Sequence, residues 1–234
     1  MSLFSRWSSS AALHPRVVVR TTFTMPIPKE LNEIVRLPLF EREEPIKIRS
    51  MWLEHINEKP RSIGAVMARP EWEAFHKNAL ACPMFIVPVQ KPEGYFNMVS
   101  QIQDGKYCLL TFLDHFRTNP TEAPPFMVLN FFDDLLKTKD LALLRADLIS
   151  PDLSKSEGEA VIRMLREFYC QPSLFKRWVE TFNLRPRDFD FADFTSANQR
   201  QGVICYLGSY FREIFGKSMR ERVEQNPVGN VSTP

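Results

Sequence analysis

Cysteine is scarce: there are four in 234 residues, at positions 82, 108, 170 and 205, with no C-x-x-C among them. A disulfide framework or a structural zinc site is therefore not expected, and burial as small apolar residues in a reducing compartment is the default. Glycine is scarce too, with 8 residues. The sequence holds no G-x-x-x-x-G-K-[ST], and Gly202 and Gly208 have the wrong context for cradling phosphates, so neither nucleotide fingerprint is present. It also lacks H-E-x-x-H and G-x-S-x-G, which removes the best-marked metalloprotease and serine-hydrolase routes. No apolar run approaches the roughly 18 residues of a membrane span, so membrane insertion is not expected.

Acidic residues are missing from the first 29 positions, where Arg6, Arg16, Arg20 and Lys29 stand unopposed. Without that segment, 30 − 4 = 26 basic side chains face 28 acidic ones, so the remainder carries −2 where the whole chain carries +2. A near-neutral body has no basic stripe, and nucleic acid is a poor candidate partner. Residues 1–25 are rich in Ser and Thr, and Leu3, Phe4 and Trp7 lie at helical spacing beside Arg6. Such a basic amphipathic start suits import into mitochondria, whose inside-negative potential draws positive charge inward.

Four domains of behaviour are expected: a presequence at 1–25, a Pro-punctuated polar segment at 26–45, a folded body at 46–222 and a frayed tail at 223–234. From Ile46 onward, Ile48, Met51, Trp52 and Ile56 share one helical face, and Pro60 closes that helix. Pro70 opens another, with Trp72, Phe75 and Ala79 as its inner stripe. The period then changes. Residues 84–89 form an apolar β-rich run, and 95–102 and 106–113 flank Asp104-Gly105, a dipeptide suited to a tight hairpin turn. Strands are also expected at 126–132 and 141–149, with a helical turn between them. Residues 107–113 and 127–132 are apolar on both faces, as central strands are. Ser154 and Glu157 form a capping box ahead of Val161, Met164, Leu165 and Phe168. A short helix is expected at 173–182 and a terminal one at 200–222. The sum is an α+β fold: one domain, a mainly antiparallel sheet with helices packed on it.

Residues with catalytic potential are thinly spread. His14, His55, His76 and His115 show no metal spacing, so neither metal nor cofactor is expected. A nucleophile pair of Cys82 or Cys108 with a histidine such as His115 stays open as an alternative, a small matrix enzyme. The acidic pairs Glu43-Glu44 and Asp133-Asp134 point apart on any regular backbone and suit solvated turns. Phenylalanine is abundant, at 19. Between Phe182 and Phe191, bulky apolar groups alternate with charge outside any helical stripe. That pattern fits either a loop stapled to the core or a partner surface with aromatic and arginine anchors.

The run Val179-Glu180-Thr181-Phe182-Asn183-Leu184-Arg185-Pro186, followed by Phe189, resembles the C-terminal signature of the mitochondrial assembly factors that chaperone the ATP synthase β subunit. Cys82-Pro83-Met84-Phe85-Ile86-Val87-Pro88-Val89, with Gly94-Tyr95 beyond it, resembles that family's first strand and hairpin. Residues 130–135 match loosely, with Phe131-Phe132-Asp133-Asp134 where the family has a tyrosine and a single acid, and 196–234 match nothing in it. The resemblance implies a non-enzymatic, monomeric chaperone of the mitochondrial matrix. It would bind unassembled β subunit, keep it soluble and be displaced by the α subunit. It also implies Glu180, Phe182, Asn183, Leu184, Arg185 and Pro186, with Phe131 and Phe132, as candidate partner-binding residues. Free β exposes apolar interface that α later covers, so its chaperone needs an interface of about 1,600 Å² and an affinity it can surrender.

Overall fold

The computed structural model describes residues 27–200. The presequence, the tail and nearly all of the expected 200–222 helix lie outside them. A 3₁₀ turn at Leu31–Glu33 and a one-turn helix, α1 (Leu37–Phe40), lead into α2 (Pro45–Asn57), where Pro45 sits in the first turn and needs no amide donor. Strand β1 (Ser62–Ala68) and helix α3 (Arg69–Ala81) follow. Next come β2 (Met84–Lys91), β3 (Gly94–Gln103), β4 (Tyr107–Phe112), a short α4 (Leu113–Thr118) and β5 (Pro125–Phe132). The one-turn α5 (Leu136–Lys139) and β6 (Leu141–Leu148) close the strand block. Helix α6 (Lys155–Cys170) starts on the expected capping box, with the Ser154 hydroxyl accepting from the Glu157 amide and the Glu157 carboxylate accepting from Ser154 N–H at 2.8 Å. Beyond it, α7 (Pro172–Leu174), a π-helical turn (Phe175–Glu180), α8 (Thr181–Leu184), a 3₁₀ turn (Pro186–Asp188) and α9 (Phe191–Arg200) run on almost without a break.

The six strands form one curled sheet in the order β1-β6-β5-β4-β3-β2, every neighbour antiparallel. Strands β4 and β5 are inner, and nearly all their residues are buried, as their two apolar faces require. Asp104 and Gly105 turn the β3–β4 hairpin with φ of 51° and 65°, the left-handed pair that such a tight turn needs. Alternation along the strands divides the core in two. On one face Phe85, Leu110, Leu129 and Leu144 pack with Trp72 and Phe75 of α3 and with Leu165 and Tyr169 of α6. On the other, Val66, Phe132 and Leu143 pack with Ile48, Trp52 and Ile56 of α2.

Three features differ from expectation. The strand β1 falls in residues 61–69, which carry no clear strand pattern. Its Gly64 is small for a packing reason: a Cβ there would stand 3.1 Å from Ile56 Cβ and 3.5 Å from Trp52 Nε1, and the Gly64 amide donates to Asn57 Oδ1 at 2.9 Å. This close approach also lets the Trp52 indole donate to Leu144 O at 3.0 Å. Second, the Pro-punctuated polar segment sends apolar side chains inward, with Leu31 and Phe40 buried in the α2 cluster. Third, a helix follows the aromatic run: α9 begins at Phe191, capped by an Asp190 carboxylate that accepts from the Ala192 and Asp193 amides at 2.8 and 3.0 Å.

Candidate partner-binding site

The signature residues separate into an inner and an outer set. Phe182 is half-buried and stands edge-on to Phe85 and to Phe189, with ring centroids 5.9 and 5.2 Å away. Phe189 continues to Phe194, and Phe194 to Trp178 and Phe168, so the alternating aromatics form a staple into the sheet core. Asn183 uses its whole side-chain amide. It accepts from Met84 N–H at 3.2 Å, and donates to Met84 O at 2.6 Å and Val179 O at 2.8 Å. Since β2 is an edge strand, Asn183 gives Met84 what a neighbouring strand would give, a donor and an acceptor at once.

Leu184, Arg185 and Pro186 face outward, and Leu184 keeps 64% of its surface exposed. Arg185 is steadied by a bond from Nη2 to Thr181 Oγ1 at 3.2 Å. Thr181 in turn donates to Lys176 O, five residues back, which ties down the wide turn. Beside them opens a hollow of about 260 Å³ lined by Arg177, Trp178, Arg185, Asp190 and Asp193 among others. There the Arg177 guanidinium lies 4.5 Å from the Trp178 ring and pairs with Asp193 at 2.9 Å. Arg177, Trp178 and Asp193 are absent from the expected set. The signals that mark them are the Arg-Trp adjacency and the Asp190-x-x-Asp193 spacing at a helix start. Leu184 thus stands exposed beside Arg185, on a turn held by Asn183 and Thr181.

Phe131 and Phe132, expected with this set, are core residues, each 4% exposed on opposite faces of β5. Phe131 packs against Phe75 with the rings tilted by 35° at 4.8 Å, and Phe132 stands edge-on to Trp52 at 5.9 Å. Strand alternation sends neighbours to opposite faces, and here both faces are covered. Glu180 is half-buried, and its carboxylate lies near enough to Cys82 to matter electrostatically. Burial first, and then that negative charge, raise the Cys82 thiol above its ordinary range. Burial likewise pushes Cys108 up to about 12. A nucleophilic cysteine needs the reverse shift, so neither buried thiol is suited to the role weighed for it.

Residues 8–195 match the model of a family described as ATP11 protein. The chain belongs to the ATP11 protein family. The ATP11 match takes in all six strands and the signature from Glu180 to Pro186. Among curated proteins, the chain is 26% identical over 176 residues to the "ATP synthase mitochondrial F1 complex assembly factor 1" of Danio rerio, covering 75% of this chain and 58% of that one. The Homo sapiens protein of the same name is 24% identical over 176 residues, covering 75% and 53%. The Mus musculus protein is 22% identical over the same length, covering 75% and 54%. This ATP11 chain thus spans a little over half the length of the curated relatives it matches.

Proposed function

We propose that this protein is an assembly chaperone for the catalytic head of mitochondrial ATP synthase, which binds unassembled β subunit in the matrix and yields it to the α subunit. The observation that carries this is family membership over residues 8–195, joined to relatives named as F1 complex assembly factors. The fold supports a binding role, since the exposed face at Leu184, Arg185 and Pro186 rests on a turn locked by Asn183 and Phe182. In this reading Leu184 and Arg185, with Glu180 and Pro186 beside them, touch β, while Phe182 and Asn183 hold the surface in place. Residues 1–25 serve as presequence, and the packed structure already includes Leu31 and Phe40 of the 26–45 segment. In this reading release needs no nucleotide hydrolysis by the chaperone, because binding of α to β supplies the driving force.

The test is co-expression of the full chain with β subunit, with and without α, followed by size-exclusion chromatography. Soluble 1:1 complex that disappears on adding α is the expected result. Insoluble β, with this protein eluting alone, would refute the assignment.

A further inference from the structure

A second hollow, of about 620 Å³, lies where the ends of β3, β4 and β5 meet the start of α6. Its floor is aromatic: Phe96, Phe112 and Phe126, all half-buried, and the imidazole of His115. Phe112 and Phe126 are parallel within 16° at 5.7 Å, Phe96 stands edge-on to both, and His115 is edge-on to Phe112 at 4.9 Å. The chain already places one cation here. The Lys91 ammonium lies 5.5 Å from the Phe96 centroid, 2.8 Å from Glu157 Oε1 and 2.7 Å from the Asp152 carbonyl oxygen.

Lys91 does not exhaust the site's charge. Glu157 answers its ammonium, while the Asp152 carboxylate has a single hydroxyl bond, from Ser150 at 3.2 Å. Lys91 and Glu157 answer each other and Arg61 donates to the Ser150 carbonyl, so among the described residues the Asp152 carboxylate lines the hollow, beside the Phe112 and Phe126 rings, without an ion pair of its own. Ring faces attract cations through their quadrupole, and a planar guanidinium stacks on a ring while forking a carboxylate, which an ammonium cannot do.

From this we infer that the hollow is a receptor for an arginine side chain presented by a protein partner, its guanidinium stacked on Phe112 and Phe126 and paired with Asp152. That the partner is the F1 β subunit rests on the function proposed above. The arginine preference rests on the hollow alone.

Two measurements on the full chain separate these claims. In the first, N-acetyl-arginine methylamide or its norleucine counterpart is titrated while the amide resonances of His115, Asp152 and Ser154 are followed. The arginine probe should shift them with Kd on the order of millimolar, as one side chain supports. The norleucine probe should not, and Asp152→Asn and Phe112→Leu should each abolish the response while thermal unfolding stays cooperative. Equal response to both probes, or none to arginine, overturns the receptor. In the second, Asp152→Asn should weaken β-subunit binding roughly tenfold, the loss typical of a truncated interface anchor. If the arginine probe binds but Asp152→Asn binds β as tightly as wild type, the assigned occupant is wrong. If wild type does not bind β at all, the proposed function fails, and the probe titration still decides the receptor.

Discussion

Replacing Asn183 with Ala separates a structural signature residue from a contact residue. The substitution removes three hydrogen bonds, two to Met84 and one to Val179. A typical intramolecular bond contributes about 1 kcal/mol net, and a buried group left without a partner costs about 1–3 kcal/mol. Met84 is half-buried, so water can reach part of the vacated edge, and the expected loss is about 2–3 kcal/mol. For a body of this size each kcal/mol shifts Tm by roughly 2–4 °C, so Asn183→Ala should melt about 4–12 °C lower. Asn183→Asp is the sharper variant. It keeps the acceptor for Met84 N–H but sets a carboxylate against two carbonyl oxygens where an amide NH₂ had donated, so it should be at least as unstable. The assay is urea unfolding followed by fluorescence, alongside β-subunit binding well below the midpoint. Both variants should lose stability, yet bind β like wild type while folded. Wild-type stability with binding abolished would refute the edge-clamp account and make Asn183 a contact.

Gly158 in the first turn of α6 sets two effects against each other: Ala favours a helix by about 1 kcal/mol, but overpacking a core costs about 1–3 kcal/mol. The new Cβ would stand 2.7 Å from both Ile63 Cδ1 and Leu148 Cδ2, so Gly158→Ala should leave Tm unchanged or lower, and a rise of several degrees would show that those side chains yield freely. Trp52→Phe leaves the Leu144 carbonyl without its indole donor, and calorimetry should show a loss of about 1–2 kcal/mol. Burial, then the Glu71 charge, push the half-buried Cys170 up to about 12. At pH 8 its thiolate fraction is about 10⁻⁴ against about a quarter for a free thiol, so alkylation should run roughly 2,000-fold slower than in urea, and fast labelling would contradict the shift. Cys108, also raised to about 12, carries the sign of the pH dependence. Below the unfolded thiol pKa of about 8.5 its contribution is intact, and above it unfolding releases a proton that the folded state retains. Stability should therefore fall by up to about 1.4 kcal/mol per pH unit from that thiol as pH climbs toward 12.

Local chemistry written in the sequence is reproduced where one physical rule dominates. Pro70 sits in the first turn of α3, Asp104-Gly105 takes the paired positive φ of a tight turn, and Ser154 with Glu157 closes its box. The α+β class follows from the same periodicities. Features set by contacts distant in sequence are hidden. Strand β1 reads poorly because Gly64 and its small neighbours answer to the bulk of Trp52 and Ile56 across the interface, and β-propensity is subordinate to packing. Helix α9 announces itself only through the Asp190 cap, a signal equally at home in a turn. At the candidate site, composition singles out the aromatic run, yet no spacing tells which rings point in. Phe131 and Phe132 are candidates only through the resemblance, and their burial agrees with the two apolar faces read for residues 127–132.

The division within residues 180–186 bears on how such a signature should be used. Asn183 bonds Met84 at the edge of β2 and Phe182 packs on Phe85, so both hold the helical run on the sheet whatever the protein binds. The side chains of Leu184 and Arg185 contribute little to the core: one is largely exposed, and the other holds one side-chain hydrogen bond, to Thr181. The outer pair is open to solvent, while the inner pair is half-buried and bonded or packed into the body. Loss of function from an inner substitution is therefore a statement about stability until the folded fraction is measured. An outer substitution such as Leu184→Ala or Arg185→Ala, leaving the melting curve in place, addresses binding directly. The same test applies to the aromatic hollow at α6, where Asp152 lies outside the core and Phe112 half inside it. For that reason Asp152→Asn is the variant whose binding loss bears on recognition there, with Phe112→Leu as the check on its setting.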